Sequence, residues 1–245
     1  MKRSYVIAGV FLILASTFAI EYYTNTRFPT QGLVIAGVPE LEVGVEHAFT
    51  YQHELDFVGT YSYTVTGKQG GLYSLVSSTD VSSEAGRIQL EGSFVFDEQY
   101  RPVEYTLNVD QDGEINIIDV SFTGGNVVSA VTFANKTVTL SEEFPEGAYL
   151  TENNMPGFWE IFLLSAELET GARYAAQVYI PQGGTMFDLE FYVQNNPQTI
   201  TVEGQQFSCT VIQETTLDLR FYLYEGEMIQ MRNEDQDVTF TKILG

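Results

Sequence analysis

Val43-Gly44-Val45-Glu46-His47-Ala48-Phe49-Thr50-Tyr51-Gln52-His53-Glu54-Leu55-Asp56-Phe57 places an apolar, aromatic or histidine side chain at every odd position. On an extended chain successive side chains point to opposite faces, so these eight share one face. The other face carries Glu46, Ala48, Thr50, Gln52, Glu54 and Asp56. One dry face and one wet face describe a half-buried strand of an antiparallel sheet.

The same period of two recurs along the chain. Ile88, Leu90, Phe94 and Phe96 alternate with polar neighbours, as do Val103 to Val109, Phe187 to Val193 and Leu217 to Leu223. Between such runs stand Lys68-Gln69-Gly70-Gly71, Asp112-Gly113, Gly124-Gly125-Asn126, Asn195-Asn196-Pro197, Glu203-Gly204 and Glu225-Gly226. These residues tolerate the positive φ that tight hairpins demand. The pattern predicts roughly 12 to 14 strands, with a short edge strand at Leu33 to Ala36. One segment differs. Asn154-Met155-Pro156-Gly157-Phe158-Trp159-Glu160-Ile161-Phe162-Leu163-Leu164-Ser165 has a capping candidate in Asn154 and an early proline, and Gly171 stands as a stop. It predicts a helix near 155–168, apolar nearly all round and therefore buried. The fold class expected is all-β and mainly antiparallel: a large curved sheet, an unclosed barrel or a sandwich, enclosing one helix.

The strand succession, the phrase Phe96-Asp97-Glu98-Gln99-Tyr100-Arg101-Pro102-Val103, the lone helix, and the hairpin Phe221-Tyr222-Leu223-Tyr224-Glu225-Gly226-Glu227-Met228-Ile229 together resemble unclosed half-barrel proteins. These include the LolA-like lipoprotein-carrier superfamily and related exported domains of unknown function. The resemblance covers about 45–245. It implies a curved sheet around an apolar groove suited to acyl chains or a lipidated partner. This chain departs from it in having one plug helix and a more acidic surface.

The N-terminus addresses location. Lys2 and Arg3 precede an uncharged run from Ser4 to Ile20, and Tyr22 and Tyr23 follow it. That order describes a signal sequence or an uncleaved anchor. A cleavage site after Ala19 would have Thr17 at its −3 position, a mediocre choice, so a retained anchor is preferred over a secreted product. A pilin-like filament helix fits less well, because Ser4 and Tyr5 follow Arg3. The expected layout is an anchor or signal at 1–23, a juxtamembrane tether at 24–42 and a β domain at 43–245. The positive end stays inside and the domain lies outside the cytoplasm.

The chain holds 33 acidic and 11 basic residues, a net charge of −22. Such a surface repels nucleic acid and anionic headgroups and draws cations; adaptation to salt is another explanation. The single cysteine, Cys209, excludes an intramolecular disulfide and shares a strand face with Phe207 and Val211, as a small buried hydrophobe would.

Candidate sites are few. His47 and His53 are the only histidines. With Phe49, Tyr51, Phe158, Trp159 and Phe162 they are expected to line the ligand groove. Asn108, Asp110, Asp112 and Asp119 fall at calcium-loop spacing, although strands rather than helices flank them. Asn135-Lys136-Thr137 is a glycosylation sequon. No nucleophile elbow, phosphate loop or zinc motif is present, so no catalytic residue and no cofactor beyond that calcium candidate is assigned. The expected function is a membrane-anchored, extracytoplasmic binding protein for a lipid, a lipidated protein or another apolar ligand. The alternatives are a structural or protein-interaction domain and, further off, a glycosidase.

Overall fold

A computed structural model describes residues 29–53, 57–83, 86–134 and 136–244. The expected anchor (1–23) and the sequon residue Asn135 lie outside them. The strands are β1 (Thr30–Gly32), β2 (Glu46–His53), β3 (Phe57–Gln69), β4 (Leu72–Ser83), β5 (Gly86–Asp97), β6 (Pro102–Gln111), β7 (Glu114–Thr123), β8 (Asn126–Phe133) and β9 (Lys136–Glu143). After β10 (Tyr149–Leu150) comes the helix α1 (Pro156–Ser165). The second half holds β11 (Arg173–Ile180), β12 (Thr185–Val193), β13 (Gln198–Val202), β14 (Gln205–Glu214), β15 (Leu219–Tyr224), β16 (Glu227–Asn233) and β17 (Val238–Lys242).

Strands β2 to β9 form an antiparallel meander in chain order. A second meander runs from β11 to β17, with β12 and β13 lying end to end along β14. β17 pairs antiparallel with β2 and fuses the halves into one 17-stranded sheet. Twist accumulated over so many strands curls a sheet upon itself. The edges, β9 on one side and β1 and β10 along β11 on the other, are not joined by strand pairing among the described residues. Side chains approach across this seam: Ser129 Oγ lies 2.6 Å from Tyr179 Oη, and Thr185 Oγ1 lies 3.5 Å from Glu142 Oε1. The molecule is an unclosed barrel.

The described residues hold more strands than the periodicity predicts. The excess comes from short pieces, such as β1, β10 and β13, which are too brief to show a period. The long run from Val43 to Phe57 is also two strands rather than one. His53 ends β2 and pairs antiparallel with Phe57, the first residue of β3. Val43 and Val45 stand exposed ahead of β2. The edge strand expected at Leu33 to Ala36 lies just before it, at Thr30–Gly32, and pairs parallel with β11. Residues beyond β1 also lie on the barrel: the Leu33, Ala36 and Val38 amides donate to Ala175, Ser165 and Glu98 carbonyls.

Helix α1 fills the barrel. Phe158, Trp159 and Phe162 are fully buried. Phe158 stacks on Phe94 at 5.2 Å, Trp159 meets Phe221 at 5.2 Å and Phe162 meets Tyr149 at 5.3 Å. Burial of each such side chain contributes about 1.5–3 kcal/mol. Asn154 does not cap the helix. It has a φ of 57°, and its amide engages Gln236 and Asn233, so Met155 takes the capping position without a side-chain bond. A barrel hydroxyl does that work instead: Gly157 N–H donates to Tyr61 Oη at 3.1 Å. Pro156, lacking an N–H, leaves no orphan at the first helical position. The helix ends before Gly171, because Ala166 turns extended and bridges to Ile35.

Gly157 is required by close approach. A Cβ there would sit 2.5 Å from the Tyr63 ring. Gly157→Ala is therefore expected to displace the helix start and cost about 1–3 kcal/mol by overpacking, read as a lowered urea midpoint. This outweighs the gain in helix propensity.

A smaller apolar cluster of Val202, Phe207, Cys209, Val211, Tyr222 and Ile229 packs apart from the main core. Cys209 is buried within it, and burial pushes its thiol up to about 11.

Candidate functional site

The side chains expected to line a groove separate in the structure. Phe49, on β2, is fully buried beside Tyr61, and Tyr51 packs edge-on against Phe240. With Phe158, Trp159 and Phe162 buried from the helix side, the interior between helix and sheet is packed core. His53 sits at the far end of β2, opposite Val238 and Phe57. His47 lines a cavity at the mouth of the barrel.

The calcium candidates form a hairpin. Gln111 pairs with Glu114, leaving Asp112 and Gly113 at positive φ as the two-residue turn. Asp110 accepts from the Gly113 amide, Asp112 from the Arg87 amide and Asp119 from Thr106 Oγ1. Asn108 lies opposite Ile117 on the ladder. Strand geometry spreads these residues along two rails. Among the described residues no group of three or more His, Cys, Asp or Glu could hold a metal ion.

The mouth cavity has a volume of about 450 Å³. Its apolar walls come from Leu41, Val45, Val65, Ile161 and Leu164. Its carboxylates are Glu40 and Glu42 from the segment before β2, Glu160 from α1, and Glu227 from the start of β16. His47 and Tyr63 complete it, their rings stacked 4.7 Å apart at an angle of 9°. A cavity of about 440 Å³ on β2 to β6 is lined chiefly by Ser, Thr, Asn and Glu. The mouth cavity is the better candidate for a ligand site because it combines apolar walls with a buried ionisable group.

Glu160 is 2 % exposed. Tyr63 Oη donates to its Oε2 at 2.9 Å and the Met228 amide to its Oε1 at 2.9 Å. Burial pushes its carboxyl up to about 7, and these two hydrogen bonds hold the rise in check. The Tyr63 hydroxyl is driven well above its ordinary range by burial and by Glu160. His47 is lowered, first by burial and then by the nearby Lys242 ammonium. Lys242 is itself paired with Glu227 at 2.8 Å. The cavity thus presents an imidazole whose charged form burial disfavours, a carboxyl poised near neutrality and further acids, with no Lys or Arg among its lining residues.

A second buried carboxyl, Glu152, lies away from this cavity. Tyr105 Oη donates to its Oε2 at 2.6 Å and the Asn153 amide to its Oε1 at 3.0 Å. Burial pushes it up to about 8. Sequence reading passed over both acids. For Glu160 a signal existed: it is the sole charge between Asn154 and Ser165, in a segment apolar nearly all round. A charge there must be buried with partners.

No protein-family model matches the chain, and no curated protein matches it. Among solved structures it is similar to the β-barrel-like protein of the domain of unknown function DUF1849 from Brucella abortus. The TM-score is 0.52 at 10% identity, over 81% of this chain and 94% of that one. A DUF1089 family protein from Pseudomonas aeruginosa matches at TM-score 0.36 and 12% identity, over 78% of this chain and 92% of that one. The first likeness supports the unclosed β-barrel fold.

Proposed function

We propose that this protein is an extracytoplasmic, membrane-tethered binding protein that takes an apolar or amphiphilic ligand at the barrel mouth. The mouth cavity carries this reading. At about 450 Å³ it suits a small organic molecule or the end of a longer chain. The tether rests on Lys2, Arg3 and the uncharged run to Ile20. Among the described residues no helix is long and apolar enough to cross a membrane, which says nothing of that run or of strands. Kinship with lipoprotein carriers is part of the same proposal and rests on architecture. The packed interior moves the binding place from a deep groove to the mouth.

Native mass spectrometry of the full chain tests it. A small-molecule adduct is expected, and Val45→Trp, which fills the cavity from its exposed rim, is expected to cut its occupancy several-fold. An adduct indifferent to Val45→Trp, or none across preparations, overturns the reading.

One observation favours a protein-interaction domain instead. Strand β9 leaves one rail unpaired among the described residues, with Val138 and Leu140 exposed and Phe133 beside it. Such an edge is a template for another strand. If it is used for self-assembly, Val138→Lys shifts the chain to monomer in light scattering; an unchanged mass removes this reading.

A further inference from the structure

The acids around the mouth cavity are dispersed over three elements rather than gathered at one point. Glu40 and Glu42 stand on the segment before β2, Glu160 on α1 and Glu227 on β16. Among the described residues no three potential ligands converge as a metal ion requires. Between the acids lie Leu41, Val45, Ile161 and Leu164, which offer a metal nothing. The wall chemistry instead matches a molecule with one charged end and an apolar remainder. Its charge must be positive. An anionic head would meet carboxylates, and the nearby Lys242 ammonium is engaged by Glu227.

We propose that the mouth cavity recognises an organic cation: a protonated amine carried on an apolar body, with its head between Glu160 and Glu227 and its body along Leu41, Val45, Ile161 and Leu164. This rests on the reading of the cavity as a ligand site and names its ligand class. Glu160 and Glu227 adjoin, since the Met228 amide donates to Glu160 itself. Each Glu160 oxygen accepts one hydrogen bond and retains acceptor capacity for an ammonium.

Recognition is then linked to a proton. Glu160 has its carboxyl near 7, and the groups facing it or its cavity are Tyr61 and Tyr63 from β3, Glu227 and the Met228 amide from β16, Lys242 from β17, His47 from β2, and Glu40 and Glu42 before β2. An ammonium binds the ionised carboxylate, so binding releases the proton that Glu160 holds below pH 7. A primary amine stays charged from pH 6 to pH 8, and burial disfavours the charged form of His47. Ionisation of Glu160 over that window raises affinity by up to about tenfold.

Isothermal titration calorimetry on the full chain in detergent, against a detergent blank, tests this with three probes of one shape: phenethylamine, 2-phenylethanol and phenylacetate. The amine is expected to bind about tenfold more tightly than the alcohol at pH 8, and several-fold more weakly at pH 6. Phenylacetate is expected to be weakest. Glu160→Gln should remove the pH dependence of the amine. Glu227→Gln should weaken the amine several-fold while keeping that dependence, so the test survives if Glu160→Gln misfolds. Glu203→Gln, in the exposed β13–β14 turn, should change neither. Equal affinities for amine and alcohol overturn the cation inference and leave the cavity a ligand site. Failure of all three probes to bind overturns the cavity reading and the inference with it.

Discussion

Trp159→Ala is expected to lower the unfolding free energy by about 3–5 kcal/mol, the upper range for truncating a single core side chain. The indole is fully buried on α1, against Phe162, Phe191 and Phe221. Its removal leaves a cavity at the centre of the barrel that the surrounding rings cannot fill. Two of these rings stand on β12 and β15, which hydrogen bonds hold in the sheet, so the walls relax little. Chemical denaturation measures the effect as a drop in the urea midpoint. The size of the loss also reports on how the barrel is used. A protein with an open groove would tolerate truncation of its plug; a packed one does not. A loss under about 1 kcal/mol would mean that the helix is a loose lid and that the interior can admit a ligand.

Stability is expected to fall steeply as pH rises from 5 to 8.5, and Glu152 is expected to be the main cause. The carboxyl is raised from its ordinary 4.5 to about 8, chiefly by burial. The folded state therefore keeps a proton that the unfolded chain has released. The stabilisation is fully present below the unfolded value and is lost as pH passes through about 8. At about 1.4 kcal/mol per pKa unit, it amounts to roughly 4 kcal/mol over this range. Glu160 adds a smaller loss of the same sign, which accrues above its ordinary 4.5 and is complete once pH passes about 7. Glu152→Gln should flatten much of the slope, because the amide can donate to Tyr105 Oη while still accepting from the Asn153 amide. Thermal midpoints of both proteins at pH 5, 7 and 8.5 measure this. Equal slopes would show that Glu152 ionises in place, hydrated, and that the net charge of −22 governs the pH response.

Much of the architecture was legible from alternation and turn chemistry. Asp112-Gly113 and Glu225-Gly226 sit at positive φ in two-residue hairpins where their composition demands it. The helix was legible too, because an apolar run with an early proline among strands has few other fates. Its limits were not legible. Asn154 was drawn away from capping by Gln236 and Asn233, and Gly171 was never reached because Ile35 bridges to Ala166. The site was legible only in part. His47 was found from its strand face, but the rings grouped with it proved to be core.

The sequence by itself determined that the described residues form a mainly antiparallel β fold around a buried helix, with an acidic composition, because strand faces, turns and helix burial depend on residues a few positions apart. The tertiary structure alone decided that β17 pairs with β2, bringing Thr50 Oγ1 onto the Thr241 carbonyl 191 residues away. It also decided that the helix fills the interior and that Glu160, His47 and Glu227 meet at the mouth. Those outcomes depend on sheet curvature and on how much side-chain volume the enclosed space accepts, and both are sums over the whole chain that no local pattern carries.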